Sequence, residues 1–153
     1  MDNDKVISTL NELIETCKDG EQGFSTSAED VSDPELKTVF KERARTCANG
    51  ARELQEQVRR LGGDPETSGS TLGALHRGWE NVKAKITGKD DKAILEEVER
   101  GEAVAVKSYR KALDSDLPTD VRDIVERQLQ GVEQNYNLVR KLHEQHTPQR
   151  STR

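Results

Sequence analysis

The chain has 153 residues, of which 31% are hydrophobic, 3% aromatic and 35% charged. So few apolar residues can form a core only as narrow stripes on long helices, which disfavours a β-sandwich. The formal net charge is −5, and no segment gathers basic side chains without acidic ones between them, which argues against nucleic acid as a partner.

Two features of the sequence bear on the cellular compartment of the protein. The N-terminal residues have no basic and apolar leader, and no apolar run approaches the roughly 20 residues of a membrane span. We therefore expect a cytoplasmic protein. Cys17 and Cys47 both fall on apolar stripes, so buried free thiols are favoured over a disulfide.

Two helices are predicted in the first half of the chain. The first covers about residues 4–31, where apolar residues recur at spacings of four and three. Asp33 and Pro34 then supply a cap and a proline suited to the first turn of a second helix, over about 34–61. Gly62 suits the conformation that ends a helix. These two helices should form an antiparallel hairpin.

The segment after Gly62 is much longer than the 2 to 8 or so residues that join antiparallel neighbours. It contains a loop rich in glycine, serine and proline, and a short helix is predicted over about 71–87. A helix of that length spans ~25 Å, so the segment can run back along most of the bundle. A third helix, over about 91–114, can then begin beside the start of the second. A fourth helix is predicted over 118–146, and residues 147–153 should form a frayed tail.

This order of elements predicts an all-α, ferritin-like, up-down-down-up four-helix bundle, as a single domain over residues 1–146. The second and third helices run parallel in that arrangement, because the crossover travels the length of the molecule. Several glycines inside the helices indicate close helix approach, with a pocket as the alternative. These glycines are Gly20, Gly23, Gly50, Gly101 and Gly131.

Charged side chains fall within the apolar arcs of the first three helices at 100° per residue. They are Glu21, Arg43 and Glu102. Buried charges need partners, and the crossover topology places these three residues at one level, together with Tyr136 of the fourth helix. We therefore predict one structural polar layer made of Glu21, Arg43, Glu102 and Tyr136.

Two stretches of the chain carry a family resemblance. One is Gly69–Trp79, and the other is Glu96–Glu102 with Tyr109. They resemble an uncharacterised bacterial family of ferritin-like four-helix-bundle proteins, the domain of unknown function 2383, over about residues 7–143. The resemblance implies this fold and no established activity.

Ferritin-like di-metal sites take one glutamate from each of two helices and a Glu-x-x-His motif from each of the other two. Glu21 and Glu102 stand where the single glutamates would be, and Glu133-x-x-Tyr136 has the spacing of the paired motif, with tyrosine in place of histidine. The sequence contains no Glu-x-x-His, and Arg43 would repel a cation. A charge-balanced layer is favoured, and a degenerate iron or manganese site is the alternative.

Other chemistry has little support in the sequence. No nucleophile constellation, phosphate-binding loop or Cys-x-x-Cys motif occurs. His143 and His146 have helical metal-ligand spacing, but the dipole at a helix C-terminus favours cationic histidine in any case. His76 and Trp79 are expected to pack the crossover helix against the bundle, with a binding cleft as the alternative.

The sequence therefore predicts a non-catalytic bundle with no cofactor. A structural or protein-interaction role is favoured, and the fold alone suggests stress-related physiology. A metal-dependent oxidoreductase or iron-handling protein is the alternative from a different class. The small, glycine-containing core also leaves room for a homo-oligomer or a protein partner.

Overall fold

The computed structural model describes residues 2–70, 79 and 90–146. Four helices are described: α1 at Asn3–Asp30, α2 at Pro34–Arg60, α3 at Asp91–Leu113 and α4 at Thr119–Gln145. The predicted helix over 71–87, with His76, and the predicted tail over 147–153 lie outside the described residues, apart from Trp79. None of the four helices is both long and apolar enough to cross a bilayer.

Aspartates cap the N-termini of the first three helices. Asp2 and Asp90 each accept a hydrogen bond from a backbone N–H three residues later, at 2.9 and 2.8 Å. Asp33 caps α2 and is followed by Pro34, whose missing N–H costs nothing in the first turn of a helix. Beyond the other end of α2, Gly62 has a φ of 84°, the left-handed conformation in which helices commonly end. These local signals set where the first three helices start and where α2 stops.

The start of α3 lies beside the turn between α1 and α2. The carboxylate of Asp91 accepts hydrogen bonds from the backbone N–H groups of Ser32 and Asp33, at 2.8 and 3.0 Å. At the end of α4, His146 Nε2 lies 3.3 Å from Asp33 Oδ2. The starts of α2 and α3 and the end of α4 therefore share one end of the bundle. α3 runs parallel to α2, and the predicted up-down-down-up order is confirmed.

Two clusters of buried apolar side chains fill the bundle. The cluster toward the start of α1 includes Leu10, Leu13, Ile14, Leu54 and Val125. The cluster near the turn between α1 and α2 includes Phe24, Phe40, Trp79, Leu95 and Val139. On α3 the two clusters are separated at Glu102, between Val98 and Ala105. Polar side chains therefore lie in the middle of the molecule, between two apolar halves.

Trp79 fills the space between α1 and α3. Its side chain is 3% exposed and packs edge-on against Phe24, with ring centroids 5.2 Å apart. Gly23 on α1 and Gly101 on α3 lie directly against the indole, and a Cβ at either position would overlap it. Gly131 on α4 is different, because a Cβ there would have no described atom within 4 Å. Close approach explains the first two glycines, whereas Gly131 borders open space.

The same substitution should have opposite effects at two of these glycines. Gly101→Ala forces a methyl group into the Trp79 indole and should lower the free energy of unfolding by about 1–3 kcal/mol. Gly131→Ala adds a methyl group in open space and should raise it by about 1 kcal/mol through helix propensity. Urea unfolding followed by circular dichroism measures both changes. Shifts of equal sign and size would contradict the packing of Trp79 against Gly101.

Candidate functional site

A buried ion pair crosses the centre of the bundle. Arg43 Nε lies 3.2 Å from Glu102 Oε2, and the two side chains are 9% and 2% exposed. Asn135 Nδ2 donates to the same carboxylate oxygen at 2.6 Å. The guanidinium of Arg43 also lies over the ring of Phe24, 5.9 Å from its centroid. α2, α3 and α4 thus contribute one polar side chain each to a central layer.

The electrostatics of this layer follow from its burial. Burial raises the pKa of the Glu102 carboxyl above its usual value, and the contacts with Arg43 and Asn135 oppose that rise. Burial lowers the pKa of Arg43, but the charge of Glu102, its hydrogen bond and the nearby Cys47 and Tyr109 together outweigh burial, so the pKa is raised and the guanidinium stays cationic. Each charge therefore depends on the other, and removing one would leave its partner buried and unpaired.

The structure differs from the predicted polar layer at Glu21 and Tyr136. The side chain of Glu21 is 38% exposed, and its Oε1 lies 3.5 Å from Lys18 Nζ. Tyr136 is half-buried and lies beside Arg140, whose guanidinium is 5.7 Å from the centroid of the tyrosine ring. Asn135, one residue earlier on α4, contacts Glu102 instead. Asn135 and Tyr136 are one residue apart, which is 100° around a helix. The face of α4 that meets Glu102 is therefore rotated by 100° from the predicted face.

The position of Glu21 follows from which flank of α1 is covered. Ser70 donates hydrogen bonds from its backbone N–H and its hydroxyl to the carboxylate of Asp19, and Asp19 is 1% exposed. Gly23 and Ser27 are buried on the same flank of the helix. Glu21 points to the opposite flank at 100° per residue, where its flexible side chain reaches water. Ser70 and Trp79 therefore cover one edge of the apolar stripe, and Glu21 lies at the other.

A second polar layer links all four helices by hydrogen bonds. Gln128 Nε2 donates to Glu53 Oε1 at 2.8 Å, which leaves Gln128 Oε1 to accept from the Tyr109 hydroxyl at 2.7 Å. With its own proton used in that way, Tyr109 Oη accepts from the thiol of Cys17 at 3.2 Å. Tyr109 follows Glu102 by about two turns of α3, so the two layers are ~10 Å apart. The helical spacing of the sequence puts Tyr109 and Gln128 on apolar stripes, which gives no indication of this link.

Both cysteines are buried free thiols. Burial raises the pKa of Cys17 to about 11 and raises that of Cys47 further, so both are protonated at neutral pH. Each sulfur packs against a glycine of the facing helix: a Cβ at Gly50 would lie 3.4 Å from Cys17 Sγ, and one at Gly20 would lie 2.8 Å from Cys47 Sγ. The thiols therefore act as small apolar groups between α1 and α2.

A cavity of about 420 Å³ lies among these side chains, on the side where α2 faces α4. Its apolar lining includes Cys17, Cys47, Trp79, Ala105 and Val132. Its polar lining includes Arg43, Glu53, Glu102, Tyr109, Arg127 and Gln128. A neighbouring groove shares Arg43, Thr46 and Gly131 with the cavity and extends past Leu138, which is 41% exposed. Trp79 thus fills the α1–α3 side of the bundle, and no other described side chain fills the cavity on the α2–α4 side.

The candidate metal ligands are not arranged as a metal site. Glu21 and Glu102 each contact a basic side chain, as described above, and Glu133 Oε2 lies 2.6 Å from Arg110 Nη2. The hydrogen bonds described for Glu102 come from Arg43 and Asn135, not from Tyr136. Within residues 2–70, 79 and 90–146, no group of three or more His, Cys, Asp or Glu side chains is placed to hold a metal ion. Within that part of the chain, the candidate ligands therefore do not fit a di-metal centre.

The two histidines at the end of α4 each contact an acid. His143 Nδ1 lies 2.8 Å from Glu99 Oε1, and His146 Nε2 lies 3.3 Å from Asp33 Oδ2. The pKa of His146 is raised, first by its hydrogen bond to the backbone carbonyl of Leu142 and then by Asp33. These contacts hold the end of α4 against α3 and the start of α2.

The four helices and the parallel run of α2 and α3 define a ferritin-like four-helix bundle. Similar solved structures include Dps from Staphylococcus aureus, with a TM-score of 0.75 and 15% identity over 93% of this chain and 97% of that chain. A mutant of Dps1 from Mycobacterium smegmatis has a TM-score of 0.77 and 15% identity over 92% and 96%. A dodecameric thioferritin, the bacterioferritin-related protein of Bacteroides fragilis, has a TM-score of 0.68 and 18% identity over 97% and 94%. At these identities the likeness shows the fold.

The profile of one sequence family, the Domain of unknown function (DUF2383), matches residues 5–115. The chain belongs to this family, which confirms the resemblance drawn from its sequence. The match covers α1, α2 and α3, and α4 follows it. Among curated proteins, none matches this sequence.

Proposed function

We propose that this chain is a non-catalytic ferritin-like bundle of the cytoplasm, in which an ion pair balances the charge at the centre of the helices. The contact that carries this proposal is that between Arg43 and Glu102, at 3.2 Å with both side chains buried. Di-metal proteins of this fold instead surround their ions with carboxylates and histidines. In this chain the central carboxylate is already neutralised by a guanidinium.

Binding a metal ion at Glu102 would be costly. The ion would have to displace Arg43, and the displaced guanidinium would then be buried without its partner, because its side chain is 9% exposed. Asn135, which also contacts Glu102, offers only a neutral amide. The site therefore supports a structural use of Glu102 over coordination of a metal.

The proposed role is structural or interaction-based, in stress-related physiology. The suggestion about physiology rests on the fold. A second copy of the chain or another protein is the proposed partner, since the similar thioferritin of Bacteroides fragilis is dodecameric. Leu138 on α4 is an exposed apolar side chain that such a partner could cover.

Metal analysis after iron loading tests the proposal. Protein purified without chelators is incubated with ferrous iron in air, desalted, and measured for iron per chain by inductively coupled plasma mass spectrometry. We expect the wild type to retain far less than one iron per chain, and we expect Glu21→Ala and Glu102→Ala to retain the same amount as wild type. The reason is that no described carboxylate cluster is available to hold the ion.

A matched control guards against loosely bound iron. Glu42 is exposed and contacts Arg45 on the surface of α2, so Glu42→Ala removes one carboxylate without touching the central layer. Stoichiometric iron in wild type that is kept by Glu42→Ala and lost in Glu102→Ala would overturn the proposal. The alternative hypothesis, an iron-handling protein, would then be favoured.

A further inference from the structure

The cavity between α2 and α4 contains polar groups that the described contacts leave unused. Glu102 accepts both of its hydrogen bonds on Oε2, from Arg43 and Asn135, so the described residues offer no donor to Oε1. Arg43 donates to Glu102 through Nε, and its Nη hydrogens have no acceptor among the described residues. Both side chains line the cavity. A molecule in the cavity could therefore meet a pre-positioned hydrogen-bond donor, on a side chain that is 9% exposed.

The charges around the cavity cancel. Among the residues that the structure describes, its lining contains two basic side chains, Arg43 and Arg127, and two acidic ones, Glu53 and Glu102. Each basic group contacts one of the acids. The thiols of the lining are neutral, because burial raises their pKa values. An added net charge would have no unpaired counterion in this lining, which would make its burial costly.

The size and the walls of the cavity narrow the class of ligand further. A volume of about 420 Å³ lies in the range of small-molecule sites, which are mostly apolar with a few placed polar groups. Trp79, Ala105 and Val132 supply apolar and aromatic surface. Gly131 has no side chain to fill the region next to the cavity, and a Cβ there would have open space around it. The site is therefore suited to a compact, ring-containing molecule.

We propose that this cavity binds an uncharged, mainly apolar small molecule that carries a carbonyl oxygen, with Arg43 donating a hydrogen bond to that oxygen. The walls bury the apolar rings, and the balanced lining selects against charged analogues. This site goes beyond the structural role proposed above, which requires no ligand. If the cavity does not bind such a molecule, the outcome expected from the iron experiment stays the same.

Two probes of matched shape test the proposal. 2-Acetylnaphthalene is a neutral ketone, and 2-naphthoate is an anion of the same size and ring system. Isothermal titration calorimetry with the wild-type chain should show saturable binding of the ketone at one site per chain. The anion should bind at least about tenfold more weakly, because its charge is buried without a free counterion.

Substitutions at Gly131 locate the binding site. Gly131→Leu places a branched side chain beside the cavity and should weaken binding of the ketone by about tenfold or more. Gly131→Ala is the matched control, because it gains the same helix propensity with a much smaller side chain and should bind within about threefold of wild type. Circular dichroism of both variants checks that the helices are intact.

Three results would each overturn the proposal. The first is the absence of ketone binding to wild type, which would mean that the cavity closes in solution. The second is equal binding by Gly131→Leu and Gly131→Ala, which would place the ketone elsewhere. The third is binding of 2-naphthoate as tight as that of the ketone, which would show that the balanced charges do not select the ligand.

Discussion

Arg43→Met should lower the free energy of unfolding by about 2–4 kcal/mol, because it leaves the buried carboxylate of Glu102 without its charged partner. Asn135 would still donate to that carboxylate, but it carries no charge. Methionine keeps most of the volume of the arginine stem. The loss of stability therefore reports mainly on the missing ion pair with Glu102. The midpoint of urea unfolding at neutral pH, with an unchanged slope, measures it.

The size of that loss should depend on pH. Burial already raises the pKa of Glu102, and removing Arg43 would raise it further. A carboxyl whose pKa is higher in the folded state binds more protons there, so stability falls as pH rises above the unfolded value of about 4.3. The deficit of Arg43→Met relative to wild type should therefore be smaller at about pH 5 than at about pH 8.

Two further variants separate charge pairing from other effects. Arg43→Met combined with Glu102→Gln removes both charges and should recover about half of the loss, because buried ion pairs can often be replaced by uncharged groups. Arg45→Met, at a position 69% exposed on the same helix, should change stability by less than about 0.5 kcal/mol. Identical midpoints for Arg43→Met and wild type would show that the guanidinium is not buried against Glu102.

Trp79→Ala should have the largest effect, a loss of about 3–5 kcal/mol in the free energy of unfolding. The indole is 3% exposed and lies between Gly23 and Gly101. Glycines have no side chains that could rearrange into the vacated space, so the void should persist rather than collapse. Circular dichroism during urea unfolding measures the loss, because the variant contains no tryptophan to serve as a fluorescent reporter.

A smaller aromatic residue provides the control for this variant. Trp79→Phe keeps a ring near Phe24, which packs edge-on against the indole, and should lose less than half as much. Leu138→Ala removes an apolar side chain that is 41% exposed and should change stability by less than about 0.5 kcal/mol. A loss below about 1 kcal/mol for Trp79→Ala would contradict the buried position of the indole.

The architecture could be predicted because its main signals are local. Pro34 and Gly62 mark the ends of α2, and the segment that follows is too long for a turn. A long crossover requires α3 to run parallel to α2, and the hydrogen bonds of Asp91 to the first interhelical turn confirm it. Spacing, capping and connection length were sufficient to identify the fold.

The site could be predicted only in part, and particular residues show why. Arg43 and Glu102 stand out because long charged side chains within an apolar arc need a partner, and the structure brings them into contact. Spacing alone does not give the rotation of α4 about its own axis. The sequence therefore predicted that Tyr136 would join the polar layer, whereas Asn135 contacts Glu102. Spacing also does not give which flank of α1 is covered by Ser70 and Trp79, and Glu21 lies near solvent on the other flank.

The sequence indicated the cavity only as an alternative, because close helix approach was the favoured explanation for glycines such as Gly131. The cavity also depends on the distance between α2 and α4, and one sequence does not give that distance. Gln128 illustrates the difficulty, since a polar residue on an apolar stripe gave no indication that it would join Tyr109 to Glu53. Tertiary packing decides these features.

The hydrogen bonds between Asp91 and the turn at Ser32 and Asp33 have a consequence for folding kinetics. They join residues 58 and 59 positions apart, whereas α1 and α2 meet through a three-residue connection. Closing the larger loop carries a much greater entropic cost than closing the hairpin. The hairpin should therefore assemble early, and the return of α3 should limit the rate, because contacts of long sequence separation slow folding.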